Sequence, residues 1–279
     1  MEGNTMKKNQ LLSVTLIAMG MSVSAHAQEG DLAGYYIGID GTNTFTSGTY
    51  NGLANPNAGN LTLLFNHGNH YHAIGSYAYS GPAGSPTIND TNANNRLPEI
   101  SSLDAPIALN WGSGSLYSGK LTSQNNPSEY ANLTFARVDT LAGHDTGSEE
   151  QILFNSSNNR WSTLLGNTAI GLQLISATTG LFIGDHQTAN LFANGDTISL
   201  DSFLDDGFAP IFWTAANVPA GTYSAEFRLV GLNDANINSG RFYFDFAPVA
   251  VPVPAAAWLF GSGLLGLLGL KRKATPLSA

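Results

Sequence analysis

The segment YSAEFRL at residues 223–229 alternates apolar with polar side chains, and this two-residue period is typical of a β-strand. The segment FYFDF at residues 242–246 repeats the alternation and places three phenylalanines on one face. Strands of this kind bury one face in a core and expose the other to water. We therefore expect two half-buried strands, with the polar stretch between them forming a hairpin connection.

Shorter segments of the same character run through the chain and are separated by clusters of Gly, Pro, Asn and Ser. Further candidate strands are 35–40, 61–65, 73–80, 133–138, 151–154, 170–174, 197–200 and 208–213. No long stretch between residues 28 and 250 keeps a helical period with capping residues. The pattern predicts an all-β fold, a single antiparallel β-sandwich or jelly-roll-like domain with long loops over residues 28–250.

The composition of the 279-residue chain excludes several classes of protein. It has no cysteine, which excludes disulfide frameworks, iron–sulfur clusters and thiol nucleophiles. Charged residues make up 11%, against about 25% in ordinary soluble domains, and the net charge is −9. Because nucleic-acid binding needs basic patches, this acidic balance predicts no nucleic-acid partner.

Residues 1–27 have the composition of a secretory signal peptide. Lys7 and Lys8 precede an apolar stretch at 11–23, and Ala25-His26-Ala27 supplies the small residues of a cleavage site. We expect the protein to be exported, with a mature N-terminus at Gln28.

Residues 251–279 form a second segment that we interpret as a targeting tail. A proline pair precedes an uncharged apolar run at 255–270, which is close to the length that spans a bilayer. A basic cluster follows and favours the cytoplasmic side of a membrane. The residues that mark this tail are Pro252, Pro254, Trp258, Lys271, Arg272 and Lys273.

This tail resembles the PEP-CTERM sorting signal of Gram-negative bacteria in its proline motif, its AAAWLFGSGLLGLLGL segment and its KRK cluster. The resemblance implies recognition by an exosortase-type enzyme, an inner-membrane intermediate held by the transmembrane helix, and final placement at the cell surface or in the extracellular matrix. The chain departs from the family pattern in having Pro252-Val253-Pro254 where the family has Pro-Glu-Pro, which leaves the identity of the processing enzyme open.

Three histidines, His67, His70 and His72, fall within six residues. On an extended chain His70 and His72 share a face, and a turn at Gly68-Asn69 could bring His67 back toward them. Three imidazoles suit Zn²⁺, with Cu²⁺ or Ni²⁺ as alternatives. The cluster therefore predicts a transition-metal site, although histidines in a polar surface loop would also give this sequence.

Two distant dipeptides offer candidates for a fourth ligand. Each consists of a histidine beside an aspartate in a glycine-flanked turn, where side chains from different loops could meet. The candidates are His144, Asp145, Asp185 and His186.

The body of the chain also resembles a group of Zur-repressed PEP-CTERM proteins. The matching segments are YYIGIDG at 35–41, SGTYNGLANPN at 47–57, LTLLFNHGNHYHAIGSYAYSGP at 61–82, WSTLLGNTAIGLQLIS at 161–176 and AGTYSAEFRL at 220–229. The resemblance implies expression under zinc starvation and a role in zinc capture or storage at the surface. The metal ligands that the resemblance implies are His67, His70 and His72, and no others.

Two other functions are compatible with the sequence. The protein could be a structural or adhesive matrix protein that binds exopolysaccharide without metal, through aromatic residues such as Tyr71, Tyr77, Tyr79 and Trp111. It could also be a hydrolase with a His-ligated metal and Glu99 or Asp145 as general base. No catalytic motif supports the hydrolase, so we expect a binding protein and not an enzyme.

Overall fold

The computed structural model describes residues 32–201, 207–249, 260 and 262–265, and within these ranges strands dominate the secondary structure. The strands and helices of these ranges lie in the unit Ala33–Ala279. The strands are β1 (Tyr35–Ile39), β2 (Leu61–Asn66), β3 (Tyr71–Ile74), β4 (Ala78–Ser80), β5 (Thr87–Asn89), β6 (Arg96–Leu97), β7 (Ile107–Trp111), β8 (Lys120–Thr122), β9 (Phe135–Arg137), β10 (Ile170–Ala177), β11 (Phe182–Gly184), β12 (Thr197–Ser199), β13 (Ile211–Ala215), β14 (Tyr223–Gly231) and β15 (Phe242–Pro248). Between residues 32 and 249 the short helices are α1 (Gly114–Tyr117), α2 (Glu149–Phe154) and α3 (Ser156–Asn159), with 3₁₀ turns at Ile100–Ser102, Glu129–Ala131 and Val138–Leu141. The described residues 260 and 262–265 are also helical.

The strands assemble into two larger sheets and a small hairpin. The first sheet has the order β3-β2-β1-β9, and the second has the order β11-β13-β8-β7-β15-β14-β10-β12, with β6 also paired to β15. The hairpin joins β4 to β5. The prediction of an all-β protein is confirmed. Most pairs are antiparallel, as expected, but β1 with β9 and β15 with both β6 and β7 are parallel.

The two strongly alternating segments form neighbouring strands at the centre of the second sheet. β14 and β15 are antiparallel, with Ala225 opposite Phe244 and Phe227 opposite Phe242, and these four side chains are buried. The aromatic faces of the two sheets touch, since the rings of Tyr35 and Phe244 lie 5.4 Å apart. The hydrophobic core therefore includes side chains from both sheets.

The outer face of β14 and β15 is more buried than simple alternation predicts. Glu226 and Asp245 are 9% and 8% exposed although they lie on the polar face. Arg241 and the Tyr243 hydroxyl donate hydrogen bonds to Glu226, and Arg96 pairs with Asp245. Arginine side chains thus cover these carboxylates and satisfy their charge, as burial of an ionised group requires.

One predicted strand is wrong. Residues 151–154 belong to the helix α2, because the Ser148 hydroxyl accepts a hydrogen bond from the Gln151 amide and so caps the helix start. Glu149 and Glu150 occupy the first turn, where acidic side chains are favoured by the helix dipole. The predicted strand 73–80 is also divided into β3 and β4, with Gly75 between them at φ +75°.

The predicted signal peptide at 1–27 lies outside the described residues, and so does nearly all of the tail at 251–279. Within the described ranges, no helix is both long enough and apolar enough to span a bilayer.

An ion pair between the buried Asp40, which directly follows β1, and the half-buried Arg160 joins the first sheet to a distant part of the chain. The Asp40 side chain is fully buried and accepts hydrogen bonds from Asn55, Asn57 and Arg160. Burial acts to raise the pKa of Asp40, but Arg160 and the two amides outweigh it and hold the pKa below its ordinary value. The carboxylate therefore stabilises the fold in its ionised form.

We predict that Asp40→Asn lowers the free energy of unfolding by about 2–3 kcal/mol at neutral pH, since it removes the charge opposite Arg160. The contribution of Asp40 is complete above its unfolded pKa of about 3.9 and is lost as the pH falls through the lower folded pKa. Urea unfolding at several pH values measures this, with the exposed Asp104→Asn as control. Equal stability of Asp40→Asn and wild type at neutral pH would contradict it.

Candidate metal centre

The hairpin between β2 and β3 brings the ends of the histidine segment together. The His67 amide donates a hydrogen bond to the His70 carbonyl, at 3.0 Å, which closes the turn. Gly68 has φ +80°, a left-handed conformation that glycine adopts without strain, and its amide is held by Asn66 Oδ1 at 2.9 Å. The turn predicted at Gly68-Asn69 is confirmed, and it places His67 opposite His70.

His72 ends a row of aromatic side chains that crosses the first sheet. Phe135 on β9, Tyr35 on β1 and Phe65 on β2 occupy successive positions of one register line, and His72 on the edge strand β3 follows Phe65. Residues on one such line point to the same face of a sheet. The first three rings are buried in the core, so the row places the half-buried His72 at the rim of that core.

The structure brings the three histidines into one cluster. One ring nitrogen from each lies within 4.8 Å of the others, and no other set of His, Asp or Glu donors in the described ranges gathers in this way. The rings of His67 and His72 are stacked, with centroids 4.9 Å apart. The Nε2 atoms of His70 and His72 are 3.0 Å apart. His67 is exposed and the other two are half-buried, so the cluster opens to solvent.

Hydrogen bonds at the far side of two rings determine which nitrogens are free. His70 Nδ1 lies 2.8 Å from Asn69 Oδ1, and His72 Nδ1 lies 2.7 Å from Glu99 Oε2. An amide oxygen and a carboxylate can only accept, so both Nδ1 atoms carry the proton. In the neutral rings both Nε2 atoms then present lone pairs to each other across 3.0 Å.

Two facing lone pairs repel unless a proton or a metal ion lies between them. Burial, followed by the nearby His72 and His67, lowers the pKa of His70. A divalent cation would be held by the same nitrogens without requiring a protonated ring. The arrangement is therefore suited to a divalent cation between the two nitrogens.

The donor distances are close to those of a zinc site. Two nitrogens bound to one tetrahedral Zn²⁺ at about 2.0–2.1 Å are about 3.3 Å apart. The separation of 3.0 Å between His70 and His72 differs from this by a few tenths of an ångström, within reach of small side-chain rotations. His70 and His72 thus fit one metal ion as they stand, and the exposed His67, which is stacked on His72, would have to turn its ring to become the third ligand.

Glu99 orients His72 from outside the cluster, a role that the sequence alone did not predict. It comes from the link between β6 and β7, and its Oε2 also lies 3.5 Å from the Tyr130 hydroxyl. Tyr130 is fixed in turn by stacking on Phe65 and by the hydrogen bond from the Tyr35 hydroxyl to its carbonyl. A carboxylate that holds the second nitrogen of a histidine is a common companion of metal ligands.

Glu129 is a second carboxylate at the cluster that sequence reasoning missed. It begins the 3₁₀ turn Glu129–Ala131, and its Oε2 lies 3.9 Å from His67 Nε2. No sequence motif links Glu99 or Glu129 to the histidines, since they are separated from them by 27 or more residues.

The structure does not bring the predicted fourth-ligand residues into the cluster. His144 Nε2 lies 3.1 Å from the Thr140 carbonyl, and its Nδ1 faces Glu150 at 3.9 Å. The adjacent Asp145 accepts the Ser148 amide through its backbone carbonyl. In the other turn, the Asp185 carboxylate accepts hydrogen bonds from the backbone amides of Gln187 and Thr188. His186, the next residue after Asp185, is exposed to solvent.

The aromatic residues proposed for exopolysaccharide binding do not form one exposed patch. Tyr71 is 5% exposed and packs against Tyr36, so it is a core residue. Tyr77 and Tyr79 are half-buried, and Tyr77 lies outside the strand that contains Tyr79. Trp111 is 48% exposed.

The sorting residues Pro252, Pro254, Trp258 and the basic cluster at 271–273 lie outside the described residues. Comparisons of the chain with protein-family models, with curated proteins and with solved structures find no match. Function is therefore inferred from the residues and their geometry.

We predict opposite tautomers for two histidines in the metal-free protein at neutral pH. His72 should carry its proton on Nδ1, because Glu99 accepts there, and His144 should carry its proton on Nε2, because the Thr140 carbonyl accepts there. Long-range ¹H–¹⁵N NMR of the imidazole rings measures both in one spectrum. Glu99→Ala should remove the preference of His72 and leave His144 unchanged. An Nε2-protonated His72 in the wild type would refute the orienting role of Glu99.

Proposed function

We propose that this chain is an exported, surface-sorted protein that binds a transition metal, zinc in particular, through His67, His70 and His72. Its role would be the capture or storage of zinc outside the cytoplasm. The resemblance to Zur-repressed PEP-CTERM proteins, drawn from the sequence, supports zinc limitation as the condition in which it acts.

The observation that carries this proposal is the pair of facing Nε2 atoms on His70 and His72, with His67 beside them. The Nδ1 atoms of His70 and His72 are engaged by Asn69 and Glu99, which leaves both Nε2 lone pairs free for a metal ion. Neutral imidazole is a good zinc ligand and needs no thiol, which suits a chain without cysteine in an oxidising exterior.

Electrostatics favour a cation at the same place. Glu99 and Glu129 both lie at the cluster, and the whole chain is acidic. A concentration of negative charge raises the local concentration of divalent cations and speeds their arrival.

We further infer that the two large sheets form a β-sandwich whose rim holds this site. The contacts of Tyr35 with Phe244 and of Phe135 with Phe244 support this, since they join the inner faces of the sheets. His72 comes from the first sheet, and Glu99 comes from the link between two strands of the second. The hydrogen bond between His72 and Glu99 then links the two sheets at their edge.

We predict that the full chain, purified without a polyhistidine tag, binds one Zn²⁺ with a Kd below about 1 μM, or about −8 kcal/mol. Replacing His67, His70 and His72 together by alanine should abolish saturable binding, because it removes all three imidazoles. Isothermal titration calorimetry and elemental analysis measure this.

The matched control is the double variant His144→Ala/His186→Ala, which removes histidines outside the cluster and should bind zinc like the wild type. Loss of binding in this control would restore the distant turns as ligands. Wild-type binding that is weak and unchanged in the triple variant would overturn the metal proposal. Glycan binding that persists in a chelator would then favour the matrix-protein alternative.

The export proposal gives a separate prediction. When the chain is produced in a Gram-negative host, the exported form should begin at Gln28, because signal peptidase cleaves after Ala25-His26-Ala27. Replacing Ala25 and Ala27 by bulky leucines should block cleavage, while the same change at Ala33 should not. Mass spectrometry of the N-terminal peptide measures this, and an exported protein that retains residues 1–27 would contradict the prediction.

A further inference from the structure

Three imidazoles leave one position of a tetrahedral metal site to be filled. Structural zinc sites fill it with a protein ligand, whereas catalytic sites leave it to water or substrate. The identity of the fourth donor therefore decides whether the centre stores an ion or acts on a substrate. Within the described ranges, Glu99 and Glu129 are the carboxylates that contact the cluster.

Glu99 is committed to another role. Its Oε2 lies 2.7 Å from His72 Nδ1, on the opposite side of the ring from the Nε2 that faces His70. The side chain is 13% exposed, and the Tyr130 hydroxyl lies 3.5 Å from the same oxygen. Moving Glu99 onto the metal would break the hydrogen bond that leaves the Nε2 lone pair free, so Glu99 is an orienting residue and not a ligand.

Glu129 has the opposite properties. Its side chain is 56% exposed, and no donor in the described part of the chain hydrogen-bonds its carboxylate. Its Oε2 lies 3.9 Å from His67 Nε2, too far for a hydrogen bond. Glu129 lies outside the group of donors that are all within 4.8 Å of one another, so its exposed side chain would have to swing toward His70 and His72 to bind the same ion.

We propose that Glu129 is the fourth ligand and that the loaded site is a closed centre of three imidazoles and one carboxylate. This inference rests on the proposed function. The charge of Glu129, with that of Glu99 behind His72, balances the two positive charges of the ion. A closed tetrahedral centre of this composition suits Zn²⁺ or Co²⁺ better than Cu²⁺, which prefers tetragonal geometry.

Glu129 also lies where an ion could pass from solvent to the histidine cluster. With Asp104 and Tyr130 it lines a groove of about 400 Å³ that is open to solvent. A cation in this groove would meet Glu129, which also faces His67. An exposed side chain on a short 3₁₀ turn can move between groove and cluster. The closed centre leaves no position for a reactive water, so the site captures and holds the ion.

The test compares the full-chain wild type with Glu129→Gln, and it uses Asp104→Asn as the matched control. Asp104 lines the same groove and carries the same charge but is not in contact with a histidine in the structure. Zinc affinity is measured by competition with a chelator of known strength. Cobalt(II) then replaces zinc, and its visible absorption is recorded with and without azide, a small anion that displaces bound water. Thermal melting of the metal-free proteins checks that the variants fold.

We expect Glu129→Gln to raise the zinc Kd about 10–100-fold, and Asp104→Asn to change it about twofold or less. Azide should leave the wild-type cobalt spectrum unchanged and shift that of Glu129→Gln, because water then occupies the fourth position. The inference that Glu129 is the fourth ligand would be overturned if azide shifted the wild-type cobalt spectrum. It would also be overturned if both variants lost zinc affinity equally. In either case the proposal that the histidines bind zinc would still stand. A wild type that binds neither zinc nor cobalt would instead remove the proposed function.

Discussion

The register of the first sheet is the constraint on which the candidate site depends. Phe135, Tyr35, Phe65 and His72 occupy one line across β9, β1, β2 and β3, and a slip of one residue would turn His72 to the other face. Burial of the three preceding rings fixes that register, because the slip would also expose them to water. The chemistry at the edge strand is thus specified by packing in the core.

The same core positions the groups around the histidines. Phe65 stacks on Tyr130, and the Tyr130 carbonyl accepts the hydroxyl of the buried Tyr35. The Tyr130 hydroxyl lies beside Glu99, which holds His72, and Glu129 precedes Tyr130 in the same 3₁₀ turn. A set of side chains from three parts of the sequence is therefore held to one geometry, the condition under which metal ligands are well oriented.

The central strands and the histidine cluster could be predicted from local sequence. The alternation at 223–229 and 242–246 indicates the central strands, and the spacing of His67, His70 and His72 with glycine between them indicates a hairpin that gathers imidazoles. The sequence offered Glu99 only as the general base of a metal hydrolase and did not single out Glu129. Their contacts with His72 and His67 could not be predicted, because these contacts result from tertiary packing and no local spacing encodes them. The prediction of a strand at 151–154 was wrong for a reason that the sequence contains. Ser148 with Gln151 three residues later is a helix-start pattern, and it outweighs a short apolar run.

The central claim is that imidazoles of one hairpin bind a divalent cation together. X-ray absorption at the zinc edge, on the full chain loaded with one equivalent of zinc, tests it directly by reporting the atoms around the ion. We predict a four-coordinate shell of light donors at about 2.0–2.1 Å, with the multiple-scattering features of about three imidazole rings. A six-coordinate shell of oxygen without imidazole scattering would contradict the account.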